Sequence, residues 1–128
     1  MNALPRSSTR GHVLLVDDQE YVRVLLSDNL EYDHFRTTCA STGREALAFA
    51  QGSRPDLAIV DIRLPDISGW EVCQSLMRLW PDLPIIVLSA QNVAEIRPRM
   101  QELSLRYFVA KPYDPIALSE LVKQILSK

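Results

Sequence analysis

The chain has 128 residues, a length that fits one domain with its own hydrophobic core. Apolar residues make up 47% of it and charged residues 23%, which excludes an intrinsically disordered chain and a fibrous protein. The formal net charge is −2, so there is no basic excess to bind a phosphate backbone, and we expect no direct contact with nucleic acid.

Cysteine usage and the length of the apolar runs indicate the cellular compartment. Cys39 and Cys73 are too few and too far apart for a disulfide framework or a zinc site, and we interpret both as buried thiols in a reducing compartment. Every apolar run is far shorter than the ~18 residues of a membrane span. Residues 1–11 lack the hydrophobic stretch of a secretory signal. We therefore expect a cytoplasmic protein with no membrane span, a flexible tail over residues 1–11 and one domain over residues 12–127.

Five runs of residues predict β-strands. Four of them are continuously apolar and rich in β-branched residues, which is typical of strands buried on both faces in a parallel sheet. The remaining run, residues 35–39, is more polar and suits a strand at the sheet edge. The four buried runs are residues 12–16, 57–60, 85–88 and 107–110.

Apolar residues at three- and four-residue steps predict helices between these strands. In the first helix only Asn29 interrupts the apolar stripe, the second begins at a capping box formed by Thr42 and Glu45, and the third begins after Gly69. The predicted stripes of these helices are, in order, Val22, Leu25, Leu26 and Leu30; Ala46, Leu47 and Ala50; Trp70, Cys73, Leu76, Met77 and Trp80.

The last two helices complete a strand-helix unit that occurs five times. The fourth helix covers about residues 92–104, and Pro98 should kink it or shorten its first part. The fifth begins with Asp114 as N-cap and Pro115 in the first helical position, and its stripe includes Leu118 and Val122. Short loops and right-handed crossovers then predict an α/β fold, with one parallel sheet covered by helices on both faces.

The carboxyl ends of the predicted strands bring charged side chains to one edge of the sheet. Asp17 and Asp18, Asp61, Ser89 and Lys111 each follow or close one of the buried runs. Any one of them alone could be a helix cap, a turn residue or a surface charge. Together they carry a charge of about −2, and carboxylates this close repel each other unless they are neutralised. Mg²⁺ prefers oxygen ligands and commonly works beside phosphate, so the pattern predicts a magnesium site that handles a phosphoryl group.

Over residues 12–127 the chain resembles the receiver domain of two-component response regulators, the CheY-like family. The resemblance rests on the acidic pair at 17–18, on Pro65 and Gly69 four and eight positions after Asp61, on the Leu-Ser-Ala strand end at 88–90, and on the Lys-Pro-Tyr segment at 111–113. It implies a flavodoxin-like, three-layer (βα)5 fold with the strand order 2-1-3-4-5.

The resemblance also implies roles for individual residues. Asp61 would accept a phosphoryl group from a phosphohistidine of a sensor histidine kinase or a histidine phosphotransfer protein. Mg²⁺, for which Mn²⁺ could substitute, would be bound by Asp18, by Asp61, by the backbone carbonyl of Arg63 and, through water, by Asp17. Lys111 would pair with one phosphoryl oxygen. The protein would catalyse its own phosphorylation and slow autodephosphorylation, and no reaction of a separate substrate.

A second set of implied roles concerns signalling. Ser89 would bind another phosphoryl oxygen and move inward, and Phe108, at the switch-aromatic position, would rotate into the space behind it. The fourth helix, fifth strand and fifth helix would then contact a downstream target, and a homodimer is left open. The peptide before Pro112 would be cis, and Pro65 and Gly69 would have structural roles.

The chain departs from the family pattern on its expected output face. Phe108 lacks the hydroxyl of the commoner tyrosine, and Tyr107 should point to the opposite face of the sheet. Residues 102–106 replace the usual Gly-Ala turn. Partner choice and dimer geometry therefore do not carry over from relatives. In the family, the positions that Arg63 and Gln91 occupy tune loss of the phosphoryl group, and our hypothesis is that Arg63 shields Asp61 and lengthens the phosphorylated lifetime.

Several conspicuous residues have simpler interpretations. We expect neither His12 nor His34 to be a metal ligand or a catalytic residue. Trp70 and Trp80 should be packing residues. We interpret Asp66 and Asp82 as solvated loop acids.

Three other functions are alternatives to the receiver. A haloacid-dehalogenase-type phosphatase needs a second acid two residues after its nucleophile, where this chain has Arg63. A nucleotide or flavin binder needs a glycine-rich phosphate loop, and the chain has only four glycines. A degenerate receiver that serves as an interaction scaffold would not need the acids, Ser89 and Lys111. The sequence leaves open whether the chain acts alone or is part of a longer regulator or hybrid kinase.

Overall fold

The computed structural model describes residues 9–127, which alternate between strands and helices. The strands are β1 Gly11–Val16, β2 Phe35–Ala40, β3 Leu57–Asp61, β4 Ile85–Ser89 and β5 Tyr107–Ala110. The helices are α1 Glu20–Tyr32, α2 Gly43–Gly52, α3 Gly69–Leu79, α4 Val93–Glu102 and α5 Pro115–Leu126.

All five strands are parallel and form one sheet in the order β2-β1-β3-β4-β5. Val16, the last residue of β1, pairs with Val60, and the next residue of β3, Asp61, pairs with Leu88. Ser89 pairs with Ala110, which directly precedes Lys111. This register brings the ends of four strands to the same edge, which we call the carboxyl edge. The expected fold class and strand order are confirmed.

Successive residues of the central strands face opposite sides of the sheet, and each side has its own hydrophobic core. Leu14, Val16 and Val60 face α2, α3 and α4, whereas Leu15 and Ile59 face α1 and α5. The helices bury their apolar stripes on these two faces, through Ala46, Ala50, Val72, Cys73, Leu76, Ile96 and Met100 on one side and Leu26, Leu30, Leu118 and Val122 on the other.

The two outermost strands differ from the expectation in their burial. β5 is half-buried, although its sequence was interpreted as a strand buried on both faces, because it lies at the edge and has one neighbouring strand. Cys39, expected to be a buried thiol, is exposed on the opposite edge strand, β2, whereas Cys73 is buried in α3. The apolar character of a short run does not distinguish an edge strand from a central one.

The helix boundaries agree with the expected caps in most places. Asp114 caps α5 by accepting from the amide of Ile116, with Pro115 in the first turn. Thr42 caps α2, but Glu45 accepts from the amide of Ser41 rather than completing a capping box with Thr42. Instead, α4 begins at a complete capping box, which Asn92 and Glu95 form. This helix continues without a break across Pro98. Leu25, assigned to the inner stripe of α1, is 46% exposed.

The beginning of the chain is only partly described. Gly11, assigned to the tail, is the first residue of β1, and the amide of Arg10 donates to the carbonyl of His34. The rest of the expected tail, residues 1–8, lies outside the described residues. Among the helices within residues 9–127, none is long and apolar enough to cross a membrane.

Candidate functional site

Three aspartates meet at the carboxyl edge. Asp17 and Asp18 are the two residues that follow β1, and Asp61 is the last residue of β3. One carboxylate oxygen of each lies within 4.8 Å of the others. Asp17 is fully buried and Asp61 is 5% exposed, whereas Asp18 is exposed and opens the cluster to solvent.

Lys111, which directly follows β5, supplies the positive charge of this cluster. Its Nζ atom lies 2.6 Å from Oδ2 of Asp61 and 3.0 Å from Oδ2 of Asp17. Burial acts to lower the pKa of Lys111, but the hydrogen bonds and charges of the two aspartates outweigh burial and raise that pKa. The ammonium group is therefore fully protonated at neutral pH and shared between two buried carboxylates.

The other oxygen of Asp61 is held by the backbone that follows it. The amide of Arg63 donates to Oδ1 of Asp61 over 3.1 Å. Burial raises the pKa of Asp61 above its ordinary value, although the hydrogen bond and charge of Lys111 act in the opposite direction. Both oxygens of Asp61 are thus oriented, one by a cation and one by a backbone amide.

Two contacts of Asp17 were not foreseen from the sequence. The amide of Gln19 donates to Oδ1 of Asp17 over 2.9 Å. Arg23, one turn into α1, donates from Nη1 to the backbone carbonyl of Asp17 over 2.8 Å. Arg23 lies six residues after Asp17, and only the helical path of α1 brings its guanidinium back to this carbonyl. The two contacts fix both the side chain and the backbone of Asp17.

The loop after Asp61, residues 62–68, returns close to its own start at Gly69. The amide of Gly69 donates to the carbonyl of Ile62 over 2.8 Å. A Cβ atom at Gly69 would lie 2.3 Å from the carbonyl oxygen of Asp61 and 2.5 Å from the Cα of Ile62. Because both neighbours are backbone atoms, glycine is required here for this close approach.

Ser89 and Phe108 lie on neighbouring strands beside the acids. Ser89 is buried, and its Oγ accepts from the amide of Gln91 over 2.9 Å. Phe108 packs against the core on the α3 side of the sheet, and Tyr107 packs against the other core, as the alternation of strand side chains predicts. The Lys111–Pro112 peptide bond is cis.

Asp66 lies at the surface of the loop, as the sequence suggested, but its carboxylate contacts a distant segment of the chain. Its carboxylate accepts from the amides of Gly43 and Arg44 at the start of α2, each over 2.9 Å, and its side chain is 21% exposed. Its contact partners are more than twenty positions away in the sequence, so no local pattern predicts them. Asp82, the other such acid, is exposed.

The donor set of the cluster fits a hard divalent cation. It consists of the carboxylate oxygens of three aspartates. Asp17 and Asp61 are buried, and the exposed Asp18 lies at the open side of the cluster. Three carboxylates and one ammonium group leave an excess negative charge of two, which a dication would cancel. Asp17, Asp18 and Asp61 are brought together as expected.

Comparisons with known proteins agree with this geometry. A family model described as the response regulator receiver domain matches residues 13–123. The chain is 35% identical over 116 residues to the alkaline phosphatase synthesis transcriptional regulatory protein PhoP of Bacillus subtilis, covering 91% of this chain and 48% of that protein. It is 33% identical over 119 residues to the transcriptional regulatory protein CreB of Escherichia coli, covering 93% of this chain and 52% of that protein. The chain spans about half the length of the curated relatives it matches.

Solved structures are similar over nearly the whole chain. A CheY-like response regulator receiver domain protein of Methanospirillum hungatei matches with a TM-score of 0.85 and 27% identity, covering 91% of this chain and 93% of that one. The non-phosphorylated HemR receiver domain of Leptospira biflexa matches with a TM-score of 0.84 and 32% identity, covering 91% of this chain and 94% of that one. The fold, the family model and the relatives agree, and this chain belongs to the response regulator receiver domains of two-component systems.

Proposed function

We propose that Asp61 accepts a phosphoryl group from a phosphohistidine on a sensor histidine kinase or a histidine phosphotransfer protein. The observation that carries this proposal is the position of the Lys111 ammonium group, 2.6 Å from Asp61 and 3.0 Å from Asp17, beside the exposed Asp18. A nucleophilic carboxylate, a fixed cation and further acids in one small volume are the groups that phosphoryl transfer requires.

The residues of the site divide the chemistry between them. An oxygen of Asp61 attacks phosphorus, the bond between phosphorus and the histidine nitrogen breaks, and the product is an aspartyl phosphate, a mixed anhydride. The amide of Arg63 and the ammonium group of Lys111 orient the carboxylate before the attack. Lys111 then neutralises a phosphoryl oxygen, since its raised pKa keeps it charged.

The acids would hold the metal ion that the excess charge calls for. Asp18, Asp61 and the backbone carbonyl of Arg63 would bind Mg²⁺, or Mn²⁺ in its place, and Asp17 would contact it through water. The bound ion supplies charge neutralisation at the phosphoryl oxygens. Asp17 is already fixed by Gln19, Arg23 and Lys111, so it keeps its orientation during the reaction.

Phosphorylation would change the surface through Ser89 and Phe108. The phosphate adds charge and strong acceptor oxygens next to Asp61. The Ser89 hydroxyl, now accepting from the Gln91 amide, would turn to donate to such an oxygen, and its loop would follow. Phe108 packs only partly buried on the adjacent strand and would rotate inward, which alters the face formed by α4, β5 and α5. A downstream target or output domain would contact this face.

Other aspects of the function are also proposals. The protein would act in the cytoplasm as a phosphorelay component and would turn over no separate substrate beyond its own phosphorylation and slow autodephosphorylation. The face of α4, β5 and α5 could support a homodimer. PhoP and CreB are named as transcriptional regulatory proteins, so these relatives give no support to the expectation that the whole protein avoids nucleic acid.

Two rival functions make different predictions. A scaffold with a degenerate site would not require Lys111 to contact two buried acids. A phosphatase would need a general acid near Asp61, and the residue two positions later is Arg63, whose amide instead orients Asp61.

Incubation with acetyl phosphate separates these functions. We expect the intact mass of the wild type to rise by one phosphoryl group in the presence of Mg²⁺ and to stay unchanged with a chelator. The Asp61→Ala variant should take up nothing. Steady release of phosphate with no covalent product would favour the phosphatase, and no uptake by the wild type under any condition would favour the scaffold.

A further inference from the structure

The middle of the loop after Asp61 is joined to the start of α2. Oδ1 of Asp66 accepts from the amide of Gly43 and Oδ2 accepts from the amide of Arg44, each over 2.9 Å. These are the first two amides of the helix, which have no partner within the helix itself. One carboxylate of a distant loop therefore takes over part of the capping of α2.

Side-chain packing brings the same two segments together. A Cβ atom at Gly43 would lie 2.5 Å from Cγ1 of Ile67 and 2.8 Å from Cγ2 of Val72. The first turn of α2 thus lies so close to Ile67 of the loop and to Val72 of α3 that only glycine fits without displacing a neighbour. The Asp66 hydrogen bonds and the Gly43 contact are independent observations of one junction.

The capping of α2 is divided between two residues of different origin. Thr42, which belongs to the preceding segment of the chain, accepts from the amide of Glu45. Asp66 accepts from the amides of Gly43 and Arg44, which precede Glu45. Its negative charge at a helix N-terminus is electrostatically favourable. Burial acts to raise the pKa of Asp66, but hydrogen bonds from the Arg44 and Gly43 amides bring that pKa to about 2. The junction is therefore charged at neutral pH.

We propose that Asp66 is a positioning residue, which fixes the loop of residues 62–68 against α2 and thereby holds the backbone of Arg63 beneath Asp61. The amide of Arg63 orients Oδ1 of Asp61, and its carbonyl is one of the ligands named above. The effect on metal binding rests on the proposed function. The effect on the loop itself does not.

Amide hydrogen exchange in the metal-free protein tests the junction directly. Removing the carboxylate in Asp66→Ala should speed exchange of the Arg63 amide by about tenfold or more, because the loop opens locally. Thr42→Ala is the matched control, since it removes a cap of the same helix without touching the loop, and it should leave Arg63 exchange unchanged. Asp66→Asn retains one acceptor oxygen, so it should give an intermediate rate and serves if the alanine variant does not fold.

A calorimetric Mg²⁺ titration then tests the consequence for the site. Asp66→Ala should weaken Mg²⁺ binding by about tenfold, the lower end of the range for residues that orient metal ligands, whereas Thr42→Ala should not. Unchanged Arg63 exchange in both Asp66 variants, or equal effects of Asp66→Ala and Thr42→Ala on exchange, would overturn the inference. A wild type that binds no Mg²⁺ would instead contradict the proposed function, and the exchange experiment would still decide the role of Asp66.

Discussion

The ammonium group of Lys111 lies 2.6 Å from the carboxylate of Asp61, across the width of β4, and it also contacts Asp17 at 3.0 Å. Two of these three groups are almost fully buried, so each charge depends on the others for compensation. The cation therefore does two things at once. It permits two carboxylates to remain charged side by side, and it opposes the approach of a second cation.

Replacing Lys111 by methionine should separate binding from chemistry. Removing the positive charge makes the net charge of the cluster more negative. The Mg²⁺ affinity, measured by calorimetry, should therefore rise by about threefold or more. Phosphoryl uptake from acetyl phosphate should fall on the order of a hundredfold, because one group that stabilises the transferring oxygens is lost. Lys123→Met, which removes a cation that pairs with Asp33 away from the site, should change neither. Weaker Mg²⁺ binding in Lys111→Met would contradict this account of the charge.

Ser89→Ala tests the link from the site to the face of α4, β5 and α5. The buried hydroxyl lies one strand away from Phe108 and is the group that would follow the phosphate. With Mg²⁺ and beryllofluoride, the variant should still bind the mimic, but the NMR shift changes at Phe108 should fall below about half of the wild-type values. Ser89→Thr keeps the hydroxyl and should retain them. Full wild-type changes in Ser89→Ala would remove Ser89 from the proposed switch.

Gly69→Ala should be strongly destabilising. The added Cβ would meet the Asp61 carbonyl oxygen at 2.3 Å, and backbone atoms cannot move aside as a flexible side chain can. We expect a loss of about 3 kcal/mol in the free energy of unfolding, measured by urea denaturation. Gly52→Ala is the matched control, because nothing lies within 4 Å of its Cβ position. That variant should be unchanged or up to about 1 kcal/mol more stable, and similar losses in both variants would contradict the argument from close approach.

Arg63→Ala should shorten the phosphorylated lifetime. The side chain of Arg63 is exposed beside Asp61, where its bulk would limit the access of water to the phosphoryl group. Its backbone amide, which holds Asp61, is unaffected by the substitution. The rate of phosphate loss after removal of the donor should therefore rise severalfold in the variant. An unchanged or slower rate would refute the shielding hypothesis.

The charge of Asp66 should appear in the pH dependence of stability. Its pKa is about 2 in the folded protein, below the ordinary value of 3.8, so its stabilising effect is complete above about pH 4 and is lost as the pH falls towards 2. The stability difference between wild type and Asp66→Asn should therefore be constant near neutral pH and shrink between pH 4 and 2. Urea midpoints at a series of pH values measure it. A pH-independent difference for Asp66→Asn would contradict the assignment.

Local pattern accounts for most of the fold and for the members of the acidic cluster. Buried strands such as residues 57–60 can be predicted because they are apolar throughout. Asp61 can be predicted as a site residue because it lies at the end of one of them. The half-burial of β5 and the exposure of Cys39 follow from position in the sheet, which a short run of residues does not encode.

Contacts between side chains and backbone groups could not be predicted from the sequence for a related reason. Asp66 resembles any other loop acid in the sequence, because its two partner amides lie in the first turn of α2, more than twenty positions away. Arg23 reaches the Asp17 carbonyl only because α1 turns it back towards β1. In both cases the interaction is made with backbone groups, which every residue has, so the identity of the partner carries no signal.

Trapping the phosphorylated residue with borohydride is the most direct measurement of the central claim. The reagent reduces an acyl phosphate, and peptide mass spectrometry then identifies the modified position. After incubation with acetyl phosphate and Mg²⁺, the account predicts reduction at Asp61 alone, in wild type, and none when Mg²⁺ is chelated. Reduction at Asp17, at Asp18 or at any other residue, or trapping at Asp61 that does not depend on Mg²⁺, would contradict it.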